Sequence, residues 1–159
     1  MEINFKDWLS NCESYIDIDD WYKKNFVYDH SRFTYDREKK IVRSDSPQTP
    51  EETYNRKSGA CHDVCRFSNY CLKKKGYQTD IVTLIVKKFI AIHFLNIFYL
   101  PWGMYIIEYG SWAYNMHGIW GPFYDVEEII NGWYIKYHPR HNSVEKYFYG
   151  WPSKEDFIE

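Results

Sequence analysis

The sharpest change of period in the chain falls at Gly76. Before it, small and apolar residues recur three and four positions apart; after it they alternate or run together as β-branched stretches. Ala60 to Lys75 sets Cys61, Val64, Cys65, Ser68, Cys71 and Leu72 along one stripe, the spacing of a helix that buries one side against a sheet. Arg66, Lys73, Lys74 and Lys75 fall toward its solvent side or its C-terminal end, where cations suit the helix dipole, and Gly76 is placed to cap it. Upstream, Pro47 and Pro50 mark turns, Glu51 and Glu52 begin a short acidic helix, and Ser58-Gly59 breaks the chain before Ala60.

The N-terminal part, Phe5 to Asn25, reads as an interrupted helix. Phe5, Trp8, Leu9, Cys12 and Tyr15 keep a helical period, and Asp19 or Asp20 is the expected cap of a second helix holding Trp21 and Tyr22. Phe26-Val27-Tyr28 is a brief apolar run, and Asp29 to Gln48 reads as a long polar loop with at most a short hairpin. Beyond Gly76, Gln78–Val86, Phe89–Leu100 and Met104–Tyr109 read as three strands, with turns at Lys87-Lys88 and Pro101-Trp102-Gly103. They are expected to form an antiparallel meander packed on the helix. Ser111–Phe123 reads as a loop, and Asp125 opens a short helix through Ile130. Trp133–Tyr137 and Glu145–Tyr149 read as further strands about a His138-Pro139-Arg140 turn, and Ser153–Asp156 as a last helical turn. The expected fold class is α+β: N-terminal helices and a central helix on an antiparallel sheet, one domain over residues 1–159.

Composition narrows the chemistry. A net charge of −2 gives no field for nucleic acid or anionic lipid, so neither is an expected partner. No stretch has the roughly eighteen uncharged apolar residues of a membrane span, since Ile81–Leu100 carries Lys87, Lys88 and His93. The start of the chain lacks the basic-then-apolar order of a signal peptide, which makes the cytoplasm the expected location. Cys12, Cys61, Cys65 and Cys71 then read as thiols rather than a disulfide framework. The 16 Tyr, 10 Phe and 7 Trp predict a core built from a few large rings. Scarce Ala beside abundant Lys, Ile, Asn, Tyr and Phe resembles the bias of an AT-rich genome, such as a low-GC bacterium or its phage.

Cys61 sits at the first turn of its helix, where unpaired N–H groups and the dipole favour a thiolate. His93 and Glu108 lie in the middle of apolar strands, where each is costly without a partner, and a hairpin about Pro101–Gly103 makes those strands neighbours. Nucleophile, base and orienting carboxylate thus come from three rigid elements. Gly59-Ala60-Cys61-His62-Asp63, His93-Phe94-Leu95-Asn96-Ile97-Phe98-Tyr99 and Trp102-Gly103-Met104-Tyr105-Ile106-Ile107-Glu108 together resemble the transglutaminase-like superfamily of papain-like cysteine enzymes, over roughly residues 20–112. The acid in that pattern is usually Asp, often followed by Pro-Thr; here it is Glu108, followed by Tyr109-Gly110-Ser111.

The resemblance implies acyl transfer through a thioester on a protein or peptide substrate, without cofactor or metal. Cys61 attacks a carboxamide or peptide carbonyl, His93 protonates the departing amine, and Glu108 holds the imidazole. The Cys61 N–H is one expected oxyanion donor, with Tyr54 or Asn55 as candidates for the second; Tyr54, Asn55 and Trp102 are the expected substrate contacts. Water is the expected acceptor, although an amine fits the same chemistry. A non-catalytic interaction module, using the aromatic segment Trp112–Trp151, is the competing reading, and a peptidoglycan-directed cysteine amidase a third. Zinc at Cys61, His62, Asp63 and Cys65 is disfavoured, because CHDVC lacks the Cys-x2-Cys spacing. His62 is expected to face outward, Asp63 to stabilise the helix start, Asn96 to face away from His93, and His117, His138 and His141 to be loop histidines.

Overall fold

The computed structural model describes residues 2–36, 41–86 and 91–151. Capping chemistry sets where the early helices begin. Asn4 caps α1 (Phe5–Asn11) by accepting the Asp7 N–H at 2.9 Å. Ser14 and Asp17 form a reciprocal capping box at the head of α2 (Tyr15–Asn25). The expected cap at Asp19 or Asp20 is therefore corrected: the helix starts earlier, and Asp19 is buried, accepting the Tyr109 hydroxyl and pairing with Lys23 at 2.8 Å.

After the short strand β1 (Val27–Tyr28), the polar stretch contains a hairpin, β2 (Phe33–Asp36) paired with β3 (Ile41–Ser44). α3 (Pro50–Arg56) begins with a Thr49–Glu52 capping box, and β4 (Ser58–Gly59) pairs in parallel with β1. α4 (Cys61–Lys74) follows at once. Ala60 has no side-chain acceptor, so Asp63 reaches back to its N–H at 2.9 Å. Gly76, at φ 87°, ends the helix: its N–H bonds the Lys73 carbonyl and the Tyr77 N–H bonds the Leu72 carbonyl, each at 3.0 Å.

The meander β5 (Thr79–Val86), β6 (Ala91–Leu100) and β7 (Gly103–Glu108) forms as expected and gains an edge strand on each side. With β8 (Gly118–Phe123) and β9 (Lys146–Tyr149) the order is β8-β7-β6-β5-β9, antiparallel throughout. The expected turn at Lys87-Lys88 and the last helical turn at Ser153–Asp156 lie outside the described residues.

Two expectations are overturned. Gly118–Phe123 is a strand, not a loop; its Pro122 is tolerated because β8 is an edge. Trp133–Tyr137 is helical, not a strand. α5 (Val126–Ile129), a π turn (Ile130–Tyr134) and α6 (Ile135–Tyr137) run on continuously. Val126, Ile129, Ile130, Trp133 and Tyr134 are all buried, at i, i+3, i+4, i+7 and i+8. That helical period outweighs the β-propensity of the individual side chains.

Helices cover both faces of the sheet. On one, Ile18, Tyr22, Val64, Phe67 and Leu72 pack with Phe98 and Ile107. On the other, Ile129 and Trp133 pack with Leu84, Leu95, Ile97 and Ile106. The aromatic excess is spent in the first layer: Trp21 has Trp8, Tyr54 and Phe67 at ring-centroid distances of 5.8, 5.6 and 4.8 Å. Each such pair adds about 0.5–1.5 kcal/mol beyond the area it buries. Among the described residues no helix is long and apolar enough to cross a membrane.

Candidate active site

Cys61 is the first residue of α4 and only 2 % exposed. Two glycines allow it to sit where it does. A Cβ on Gly59 would lie 2.7 Å from Asp63 Cβ, and a Cβ on Gly110 would lie 2.6 Å from Cys61 Cα. The first absence lets the chain enter the helix over Asp63. The second lets the segment after β7 abut the helix start.

His93 and Glu108 arrive from the sheet. Asn96 pairs with Ile107 across β6 and β7, so His93 and Glu108 stand diagonally on the face they share with Leu95 and Ile106. Asn96 takes the other face and donates to Thr79 Oγ1 at 2.8 Å. His93 Nε2–H donates to Glu108 Oε2 at 2.6 Å, and Glu108 Oε1 accepts the Gly110 N–H at 2.6 Å. Both carboxylate oxygens are engaged, and Nδ1 of His93 is left for the sulfur. Tyr134 stacks on the His93 ring, centroids 5.6 Å apart.

The electrostatics favour an ion pair. Burial alone would raise the Cys61 thiol pKa, but hydrogen bonding and positive charge from His62 and His93 outweigh it and bring it below the ordinary value. Burial alone would lower His93; the Glu108 charge, with hydrogen bonds to Cys61 and Glu108, instead pushes it up to about 10. The other thiols go the opposite way. Burial pushes Cys65 and Cys71 well up and Cys12 to about 11, and all four cysteines are free. A low thiol pKa is the mark of a reactive cysteine, and Cys61 alone has it.

Around the helix start lies a second set of polar contacts that sequence reasoning missed. Asp63 is fully buried and accepts Arg32 Nε at 2.6 Å, Arg32 Nη2 at 3.1 Å, the Gln48 N–H at 2.7 Å and the Ala60 N–H at 2.9 Å. Burial works to raise its pKa, and these donors hold it below the usual range. His62 does not face outward: it is 3 % exposed, because the Phe33 ring packs against it and its Nε2 meets the Asp45 carbonyl at 2.8 Å. A carboxylate at the first turn of a buried helix needs a cation; that need was the signal in the sequence, although nothing in the spacing singled out Arg32. Tyr28, opposite Gly59 in the β1–β4 pair, is half-buried beside the site; burial and the charges of Cys61 and Glu108 push its hydroxyl pKa up.

Three expected substrate contacts are not brought to Cys61. α3 turns Tyr54 away, into the Phe5–Trp8–Trp21 ring cluster, where its hydroxyl donates to the Ile3 carbonyl at 2.6 Å. Tyr54 and Asn55 line a cleft of about 590 Å³ with Trp8, Trp21 and Lys57, and Cys61 is not among its walls. Trp102 is exposed in the β6–β7 turn, at the far end of β6 from His93, bordering a separate hollow with Pro122 and Tyr124. His138 and His141 are half-buried rather than solvated, stacked 3.9 Å apart, with His141 Nδ1 2.7 Å from the Tyr134 hydroxyl. Burial lowers their pKa values, to about 3 and about 4. His117 is tied to the Ser111 carbonyl at 2.6 Å. Among the described residues no three His, Cys, Asp or Glu side chains are arranged to hold a metal ion.

A family model described as Transglutaminase-like domain matches residues 4–120, a span that includes Cys61, His93 and Glu108. A search of curated proteins finds no match to the chain.

Proposed function

The chain belongs to the transglutaminase-like domain family, and from that premise we propose that it is a cysteine acyl-transfer enzyme acting on a peptide or carboxamide bond of a protein or peptide. The observation that carries this reading is the buried His93–Glu108 bond of 2.6 Å beside a cysteine held at a helix start. The Cys61 thiolate attacks the carbonyl carbon. The tetrahedral oxyanion turns toward the N–H of Cys61, one of the first-turn donors that no intrahelical carbonyl satisfies. His93 gives its proton to the departing amine, and the thioester remains on Cys61. His93, now neutral, takes a proton from water or from an amine, which then attacks the thioester and frees the thiol. Glu108 keeps the ring oriented and offsets its charge.

The test uses p-nitrophenyl acetate, whose leaving group needs no protonation. The expected result is a burst of one p-nitrophenolate per chain, an acetyl mass on Cys61, and slow turnover. Cys61→Ser loses the burst; His93→Ala keeps an acetyl adduct but loses turnover, because no base activates the water. Adding a primary amine and finding its acetamide identifies amine transfer. Absence of any adduct on Cys61 would sink the reading.

One observation favours a non-catalytic interaction module instead. Cys61 is closed off, whereas Trp112, Tyr114, Tyr124, Tyr149 and Trp151 of the C-terminal segment are exposed. On this reading Cys61 titrates as an inert buried thiol, and iodoacetamide modifies it only above pH 8.5.

A further inference from the structure

Tyr134 closes the π turn, a kind of helix irregularity that recurs at functional sites. Its side chain is fully buried and stacks on His93, ring centroids 5.6 Å apart and planes 22° apart. A buried hydroxyl needs a partner, and the one here is His141 Nδ1, 2.7 Å away. His141 is in turn held by its neighbours. Its ring lies parallel to that of His138, 3.9 Å away at 6°. Its backbone N–H and that of Arg140 both donate to His138 Nδ1, at 2.9 and 3.1 Å. Two donors on that nitrogen keep it unprotonated and put the ring hydrogen of His138 on Nε2. The His138 N–H returns to the Tyr134 carbonyl at 2.9 Å. Main chain and side chain of Tyr134 are thus both tied to residues 138–141, and its ring face is set against His93.

We propose that His141 is a positioning residue for the His93–Glu108 pair, acting through the ring of Tyr134. This rests on the acyl-transfer reading of the site and adds Tyr134 and His141 to it. His141 fixes the Tyr134 hydroxyl, and Tyr134 then covers one face of the imidazole. The covered ring cannot swing away from Glu108 without pushing into packed side chains, so its Nδ1 stays aimed at one point. Water is kept from that face, which strengthens the 2.6 Å bond from Nε2–H to Glu108. The negative face of the phenol ring also favours the imidazolium over the neutral imidazole. Among the described residues the Tyr134 hydroxyl has no second partner, so it donates to His141 Nδ1 rather than strand its hydrogen. The titrating and charged groups near Tyr134 are Glu108, Cys61 and His93 on the site, and His138, His141 and Arg140 on the turn. Burial holds the Tyr134 hydroxyl pKa well up and brings His141 down to about 4, so the tether keeps its charge state through neutral pH.

The test is p-nitrophenyl acetate turnover beside the pH profile of iodoacetamide alkylation at Cys61, in wild type, Tyr134→Phe, His141→Leu and His141→Asn. Tyr134→Phe removes one oxygen and keeps the stacked ring. His141→Leu removes the partner of that oxygen, and His141→Asn restores a polar atom near the place of Nδ1. Tyr134→Phe and His141→Leu are expected to keep the acetyl adduct on Cys61 but to lower turnover about tenfold. Their alkylation profiles should also move toward that of an ordinary thiol, at about pH 8.5. His141→Asn should recover most of both. A purely structural role would lower the urea midpoint of the variants and leave turnover and the alkylation profile of the folded chain as in wild type. That outcome overturns the proposal, as does a His141→Asn variant no better than His141→Leu. If His141→Leu does not fold, Tyr134→Phe, which opens almost no cavity, decides by itself. A wild type that forms no adduct and titrates at about pH 8.5 ends the acyl-transfer reading and this proposal with it. A wild type that forms the adduct, with variants that behave alike, ends this proposal alone.

Discussion

Two buried carboxylates flank the same cysteine, and their partners separate structure from chemistry. Asp63 is bonded to Arg32 through Nε and Nη2; Glu108 is bonded to His93 at 2.6 Å. Both are fully enclosed and both hold a cation close to Cys61. A guanidinium does not release its proton in a protein, so the Asp63–Arg32 pair is a permanent clamp that ties Arg32, and with it Gln48, to the start of α4. An imidazolium does release its proton, so the Glu108–His93 pair can pass charge to the sulfur and back. On the acyl-transfer proposal, the same ion-pair geometry serves anchorage in one place and proton traffic in the other, and the cation decides which.

Removing the Cys61 thiol, the nucleophile of the proposed reaction, leaves both pairs standing and separates chemistry from stability. Cys61→Ala is expected to reduce acyl turnover by about 10⁴-fold or more while the chain remains folded. Ester turnover beside urea unfolding checks both halves of that statement.

Breaking the clamp is expected to act on stability instead. Arg32→Met strands a buried carboxylate, at a cost of about 3–5 kcal/mol, and Asp63→Asn costs less, because Arg32 keeps Asp45 and the Ser46 carbonyl. The double variant costs less than the two singles added together, because no unpaired charge is left. The pH dependence sharpens this. Asp63 has its pKa depressed below the ordinary 3.8, so its contribution is complete above that value and is lost as pH falls through the folded one. Asp63→Asn should therefore flatten the acid limb of a urea-midpoint curve below about pH 4.

Breaking the proton pair is expected to act first on turnover, and on stability only over the pH range in which His93 is charged. Glu108→Gln still offers an oxygen to Nε2–H but withdraws the charge, and turnover is expected to fall about 10²-fold. Here too pH gives a sign. His93 is raised from 6.5 to about 10, so its contribution is complete below 6.5 and declines as pH rises toward 10, where the native state holds a proton the unfolded chain has released. In Glu108→Gln that decline should shrink. An equal decline in both proteins, from urea midpoints between pH 6 and 10, would show that Glu108 does not set the charge of His93.

How much of this was legible in the sequence follows the range of the interactions involved. The α4 stripe, its Gly76 ending and the β5–β7 meander depend on local period and were readable. His93 and Glu108 were readable because each is a polar residue in an apolar strand and each meets the other's need. His62 lies off the Cys61–Val64–Cys65–Ser68 stripe, and the Asp45 carbonyl, seventeen residues upstream, and the Phe33 ring bury it. Arg32 was hidden in the same way, by a polar stretch without period. Tyr54 and Asn55 misled because nearness in sequence to Gly59 was read as nearness in space, whereas α3 rotates Tyr54 toward α1 and α2. At Trp133 and Tyr134 a helical stripe was present, but aromatic and β-branched side chains drew the reading toward strand.

The smallest change that tests the comparison is at Gly110, the residue where the Glu108 system abuts the start of α4. Its N–H bonds Glu108 Oε1 at 2.6 Å, and a Cβ there would stand 2.6 Å from Cys61 Cα and 3.3 Å from Glu108 Oε1. Backbone cannot yield as a flexible side chain does, so Gly110→Ala must push α4 and the end of β7 apart, at about 1–3 kcal/mol. The Asp63–Arg32 clamp bonds the Gln48 and Ala60 N–H groups and not Gly110, and is expected to keep α4 attached to Arg32 and Gln48. The Glu108–His93 pair sits on the side that moves. Turnover should then fall with the acid limb of stability unchanged, so that one methyl group separates the two carboxylates in a single variant. If the acid limb shifts as well, the helix start moves as one body with both pairs, and the division between anchorage and proton traffic does not hold.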